Sequence, residues 1–67
     1  MSPEDKTWLL EHFPKYMGRT MMKETLQAYY KAEMLLNEWD KIRPRSCSCQ
    51  LGDLAREVNT KYEKFLN

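Results

Sequence analysis

Apolar residues recur along this chain at spacings of three and four, the period of a helix with one buried face. The pattern is cleanest near the C-terminus. Leu51, Leu54, Ala55, Val58, Tyr62, Phe65 and Leu66 fall within an arc of roughly 120° on a helical projection. Asp53, Glu57, Thr60, Lys61 and Lys64 take the other side. The spacing predicts a helix over residues 48–66, capped by Ser46 or Ser48, with Gly52 weakening its first turn.

In the middle of the chain nothing breaks a helix between Thr20, an acceptable N-cap, and Arg43-Pro44. A second helix is therefore predicted over residues 20–42. Met21, Thr25, Ala28, Ala32, Leu35, Trp39 and Ile42 form its seam, and Met22, Tyr29 and Leu36 widen it. Small residues at the centre of that seam admit a close neighbour. The first helix opens on Ser2 as N-cap, with Pro3 at the first helical position and Glu4 and Asp5 complementing the helix dipole. Trp8, Leu9, Phe13 and Tyr16 share its broad face, with Leu10 and Met17 at the margin. Pro14 ends it, which predicts a helix over 3–13 and then an irregular turn from Lys15 to Arg19 through Gly18.

No strand-like alternation and no internal repeat interrupts this pattern. The expected fold is all-α: one helical domain over 1–67, a three-helix unit with a short N-terminal helix packed on an antiparallel helical hairpin. The antiparallel sense follows from two long helices joined by a short loop.

Length changes the picture. A chain of 67 residues buries only about 60% of the surface its unfolded form exposes, so its stability margin is thin. Chains of this size commonly gain stability from disulfides, metals or association. At 42% hydrophobic and 12% aromatic, the composition is that of a folding chain. Eleven basic residues nearly cancel ten acidic ones, and a net charge of +1 supplies no global field for nucleic acid or an anionic membrane. No apolar run approaches the ~20 residues that span a bilayer. Met1-Ser2-Pro3-Glu4-Asp5 has no basic and apolar leader pattern, so the expected compartment is the cytoplasm, with reduced thiols and no membrane role.

Apolar residues outside the seams are the first functional signal. Leu10, Met17, Met22, Leu26, Tyr30 and Met34 lie at or beyond the edges of the main faces. Aromatic and methionine side chains gathered on a surface mark a partner site, whereas a first segment folded over Leu26 and Tyr30 would simply bury them.

Cys47-Ser48-Cys49 is the second signal. Two thiolates one residue apart can bind one metal ion, but a closed zinc site needs four ligands and His12 is the only histidine. A thiol at a helix N-terminus beside Arg43 and Arg45 would also have a lowered pKa and some redox reactivity. As small residues at a helix cap, both cysteines need no further role, and no cofactor is expected. The third signal is Lys41-Ile42-Arg43-Pro44-Arg45, whose three positive charges suit the C-terminal end of a helix dipole. With Lys61 they also form a candidate anion or nucleic-acid contact.

Leu51-Gly52-Asp53-Leu54-Ala55-Arg56-Glu57-Val58-Asn59-Thr60 resembles the first half of a helix-turn-helix unit, with Ala55 as the small residue after Leu and Asn59 in the turn. The resemblance implies a second helix from Lys61 to Asn67 that enters the major groove. The sequence departs from it there: Glu63 stands in that segment, barely two turns remain, and the apolar arc runs on unbroken through Val58, Tyr62 and Phe65.

No glycine-rich phosphate loop or Ser-His-Asp set is present, and three helices of this size seldom enclose a substrate pocket. The sequence therefore reads as a non-enzymatic helical interaction module that docks a protein partner or a copy of itself. An accessory subunit of a larger assembly fits, as does a small inhibitor or adaptor, one of viral origin included. The alternatives are a small nucleic-acid binder built on 51–67 and the basic 41–45 loop, and a Cys-x-Cys metal or redox switch.

Overall fold

The computed structural model describes residues 1–20, 22–45 and 50–67, and the described residues contain helices and no strand. Three α-helices, α1 (Pro3–Glu11), α2 (Lys23–Leu36) and α3 (Leu51–Leu66), are joined by a 3-10 turn at Phe13–Lys15 and by longer connections. No described helix is long and apolar enough to cross a membrane. The three-helix unit expected from the periodicity is the fold observed. Its helix limits differ from expectation.

The start of α1 follows the sequence closely. Ser2 is extended, and its hydroxyl accepts a hydrogen bond from the Asp5 amide at 3.2 Å, with Pro3 in the first turn. The helix stops at Glu11, and Pro14 sits within the following 3-10 turn. Phe13, at the start of that turn, is the hub of the core rather than the frayed end of a helix. Its ring is fully buried and meets Tyr29 at 5.2 Å and Tyr62 at 5.1 Å, both edge to face, with Trp8 tilted against it at 5.9 Å. Such pairs contribute about 1 kcal/mol each beyond simple burial. Leu9, Ala32, Leu54 and Val58 complete the fully buried apolar centre.

Helix α2 is shorter at both ends than the predicted 20–42. Met22, not Thr20, stands at its N-cap. At the other end the Asn37 side-chain amide donates to the Glu33 carbonyl at 2.8 Å. The Glu38 amide then bonds the Leu35 carbonyl at 3.2 Å, and the Trp39 amide bonds the Met34 carbonyl at 2.9 Å. This is the paired-bond helix stop that ordinarily carries glycine in the left-handed position. Here Glu38 occupies it, with φ of 57°. The seam residues inside the helix, Thr25, Ala28, Ala32 and Leu35, are buried as expected, whereas Ile42 is exposed beyond its end.

Beyond that stop the chain turns back along α2. The Arg45 amide donates to the Tyr30 hydroxyl at 2.9 Å, and Ile42 and Pro44 share a groove with Leu26 and Tyr30. Helix α3 begins at Leu51, after the segment has returned. Its contacts with α2 include Lys61 Nζ, which donates to the Asn37 side chain, and a cleft that Leu35 and Leu36 share with Lys64 and Phe65. Helices α2 and α3 pack closely against each other, and α1 contacts them. Helix α3 is continuous through Asn59, whose side chain accepts from the Tyr29 hydroxyl at 3.2 Å, so the turn of a helix-turn-helix unit is absent there. The predicted caps Ser46 and Ser48, and Met21 of the seam, lie outside the described residues.

Tyr62 ties α3 to α1. Its hydroxyl donates to the Leu9 carbonyl at 2.7 Å, one of the last carbonyls of α1, which the helix cannot satisfy itself. Burial pushes the Tyr62 phenol above its ordinary value of 10.0. Burial raises Tyr29 as well, with its hydrogen bond to Asn59 opposing.

Two outcomes follow. The left-handed conformation costs a residue with a Cβ about 1 kcal/mol, so Glu38→Gly is expected to raise the unfolding free energy by a comparable amount, read as a higher denaturation midpoint. In the pH dependence, the folded state holds the two phenolic protons more tightly than the unfolded chain does. Their contribution is fully present below pH 10 and is lost as pH rises through the folded values. Urea titrations from about pH 8 to about pH 11 should show stability falling at the alkaline end. Tyr62→Phe should flatten that fall while costing about 1 kcal/mol at neutral pH.

Candidate docking site

The structure gathers its polar and apolar exceptions along one side of α2. Glu33 lies in the second half of that helix and is 1% exposed, the only acidic side chain buried among the described residues. A carboxylate taken out of water costs several kcal/mol unless it is paired and hydrogen-bonded. Arg45 supplies both. Its two guanidinium nitrogens reach the two carboxylate oxygens at 3.1 and 2.8 Å, a bidentate pair, and Glu57 of α3 approaches the same guanidinium at 3.5 Å. The hydrogen bond to Glu33 raises the Arg45 pKa further above its ordinary value, against the opposing effect of burial.

This clamp holds the returning segment on α2 and so forms a groove of about 540 Å³. Leu26 and Tyr30 of α2 make one wall; Ile42 and Pro44 of the returning segment make the other. Tyr30 is itself buried, and its hydroxyl is occupied by the Arg45 amide, which leaves its ring as the part that lines the groove. Ile42 is 41% exposed. Lys23 and Lys31 stand at the rim, Lys31 with its ammonium 4.4 Å from the centre of the Trp8 ring.

The six residues singled out for partner binding do not form one patch. Leu26 and Tyr30 meet on the groove. Met17 and Met34 are half-buried and pack against the core. Leu10 and Met22 are exposed at 46% and 68%, outside the lining of the groove. Ile42 and Pro44, which complete the groove, belonged in the sequence reading to the helix seam and to the basic loop. Their signal was the isolated Pro44 after a long helical pattern, which marks a chain reversal without showing where the reversal lands.

The basic candidates are dispersed in role. Arg45 is half-buried and neutralised by Glu33, so the basic loop has one fewer free charge than its sequence offers. Arg43 lies over the Trp39 ring at 4.1 Å, and Lys41 is exposed. Lys61 is engaged with Asn37 and with Glu57 at 3.9 Å. Cys47 and Cys49 lie outside the described residues, and His12 is exposed at the C-cap of α1. No protein-family model, curated protein or solved structure matches this chain.

Removing one partner of a buried pair strands the other, so Arg45→Met is expected to cost about 3 kcal/mol in chemical denaturation. The double change Glu33→Met, Arg45→Met should recover much of that loss, because packed apolar groups need no counter-charge. Equal loss in the single and double variants would show that the ion pair is not the source of the effect.

Proposed function

We propose that this chain is a non-enzymatic helical interaction module that docks a protein partner in the groove between α2 and the returning segment. The observation that supports this reading is the apolar lining of that groove by Leu26, Tyr30, Ile42 and Pro44, with Ile42 left substantially exposed. Covering a side chain such as isoleucine stabilises a complex by about 2 kcal/mol. Chains of this size commonly gain stability by association, and uncovered apolar surface marks a partner site. The groove is also preorganised. One wall is helical, and the other is held by the Arg45 contacts to Tyr30 and Glu33, so little ordering entropy is lost on docking. The aromatic and methionine-rich face of the sequence reading thus narrows to Leu26 and Tyr30, joined by Ile42 and Pro44.

The test is affinity capture from the native cell with the wild-type chain and with Ile42→Asp, which alters an exposed position and is expected to leave the helical circular dichroism unchanged. Partners held by the wild type should be lost with Ile42→Asp and kept with Glu63→Gln, an exposed change on α3. Capture of the same proteins by wild type and Ile42→Asp would rule the groove out as the docking site.

A further inference from the structure

Resting on the docking reading above, we infer that the occupant of the groove is an acidic amphipathic segment of another protein. Its apolar residues seat on Leu26, Tyr30, Ile42 and Pro44, and its carboxylates face Lys23 and Lys31. The argument is charge complementarity around an apolar floor. Both charged residues that line the groove are lysines, and no carboxylate lines it among the described residues. Neither lysine takes part in a salt bridge among the described residues.

Among the chain's own carboxylates, Glu33 and Glu57 are drawn inward to Arg45. Glu24 shares one cleft with Lys23 and another with Lys31, and Glu4 and Asp5 share a third with Lys31, but none of the three lines the groove. Lys41 and Arg43 flank Ile42 in sequence and add positive charge to the same segment, against Asp40. In a protein of net charge +1, this is a local excess that the whole-chain balance conceals. A basic or neutral amphipathic segment would meet the same apolar floor but would be repelled by, or gain nothing from, its rim.

The partner's form follows from the dimensions. The groove follows α2 from Lys23 to Lys31, about two helical turns. A helical segment that presents bulky apolar residues three and four positions apart fits that length and brings its flanking carboxylates to the two lysines.

The experiment is selection from a displayed library of amphipathic helical peptides, with apolar residues fixed at helical spacing and the remaining positions randomised among Glu, Gln and Lys. Peptides retained by the wild-type chain are expected to be enriched in Glu. Fluorescence anisotropy of a selected peptide should show affinity falling about tenfold in the Lys23→Glu, Lys31→Glu double variant and weakening with salt. A retained set with no excess of Glu, or an affinity indifferent to the double reversal, overturns the inference.

The two levels of the claim fail differently. Peptides retained equally by wild type and Ile42→Asp defeat the docking site itself. Retention that depends on Ile42 but shows no charge preference defeats only the acidic partner. Should sedimentation show a dimer that Ile42→Asp converts to monomer, the occupant is a second copy of the chain and the inference is likewise overturned.

Discussion

Glu33 faces inward from the last turn of a short helix, and a carboxylate there is tolerable only because Arg45 reaches it with both guanidinium nitrogens. Much of the architecture can be derived from that requirement. Arg45 lies twelve residues further along the chain. To bring it alongside Glu33, the backbone must leave the helix at Leu36, reverse, and run back over the face it has just built. Helix α3 packs closely against α2. Glu57 joins the guanidinium from α3, and one cation fastens three parts of the chain.

Phe13 plays the corresponding part on the apolar side. Pro14 ends α1 early, and the 3-10 turn that follows places Phe13 where rings from α2 and α3 can meet its edge or face. The carbonyl of Leu9, freed near the end of α1, is taken up by Tyr62. In both cases the end of a helix supplies the long-range contact. The stop at Glu11 gives Tyr62 an acceptor, and the stop at Leu36 gives Glu33 its cation. A 67-residue chain has few interior positions, and here its helix ends serve as part of the core.

These helix ends also mark where sequence and structure diverge. The faces of α2 and α3 were legible because helical periodicity is local: Thr25, Ala28, Ala32, Leu35, Leu54, Val58 and Tyr62 are buried where the pattern puts them. The seam was carried too far, to Trp39 and Ile42, because the stop at Leu36 uses Glu38 in a conformation that ordinarily announces itself through glycine. With the helix overextended, the connection to α3 looked short. Glu33 is not among the seam residues that the spacing picks out, and nothing in local spacing couples it to Arg45. Of the candidate site, Leu26 and Tyr30 were legible as apolar residues off the main seam. The opposite wall was not, since Ile42 and Pro44 reach them only through a chain reversal set by a buried ion pair.

The same reversal explains why an apolar groove and a local positive charge coincide. Had α2 continued to Ile42, that side chain would have pointed into a helical interface, and Arg43 and Arg45 would have projected together from a helix end. Instead the segment folds back and Arg45 is spent on Glu33, while Ile42 and Pro44 come to rest opposite Leu26 and Tyr30. Lys23 and Lys31 belong to α2 and owe nothing to the loop, yet the loop's return turns them from scattered surface lysines into the rim of a lined groove. Stability and docking surface therefore rest on one residue. The guanidinium of Arg45 secures the fold, and its backbone amide, held by the Tyr30 hydroxyl, fixes the wall against which a partner would lie.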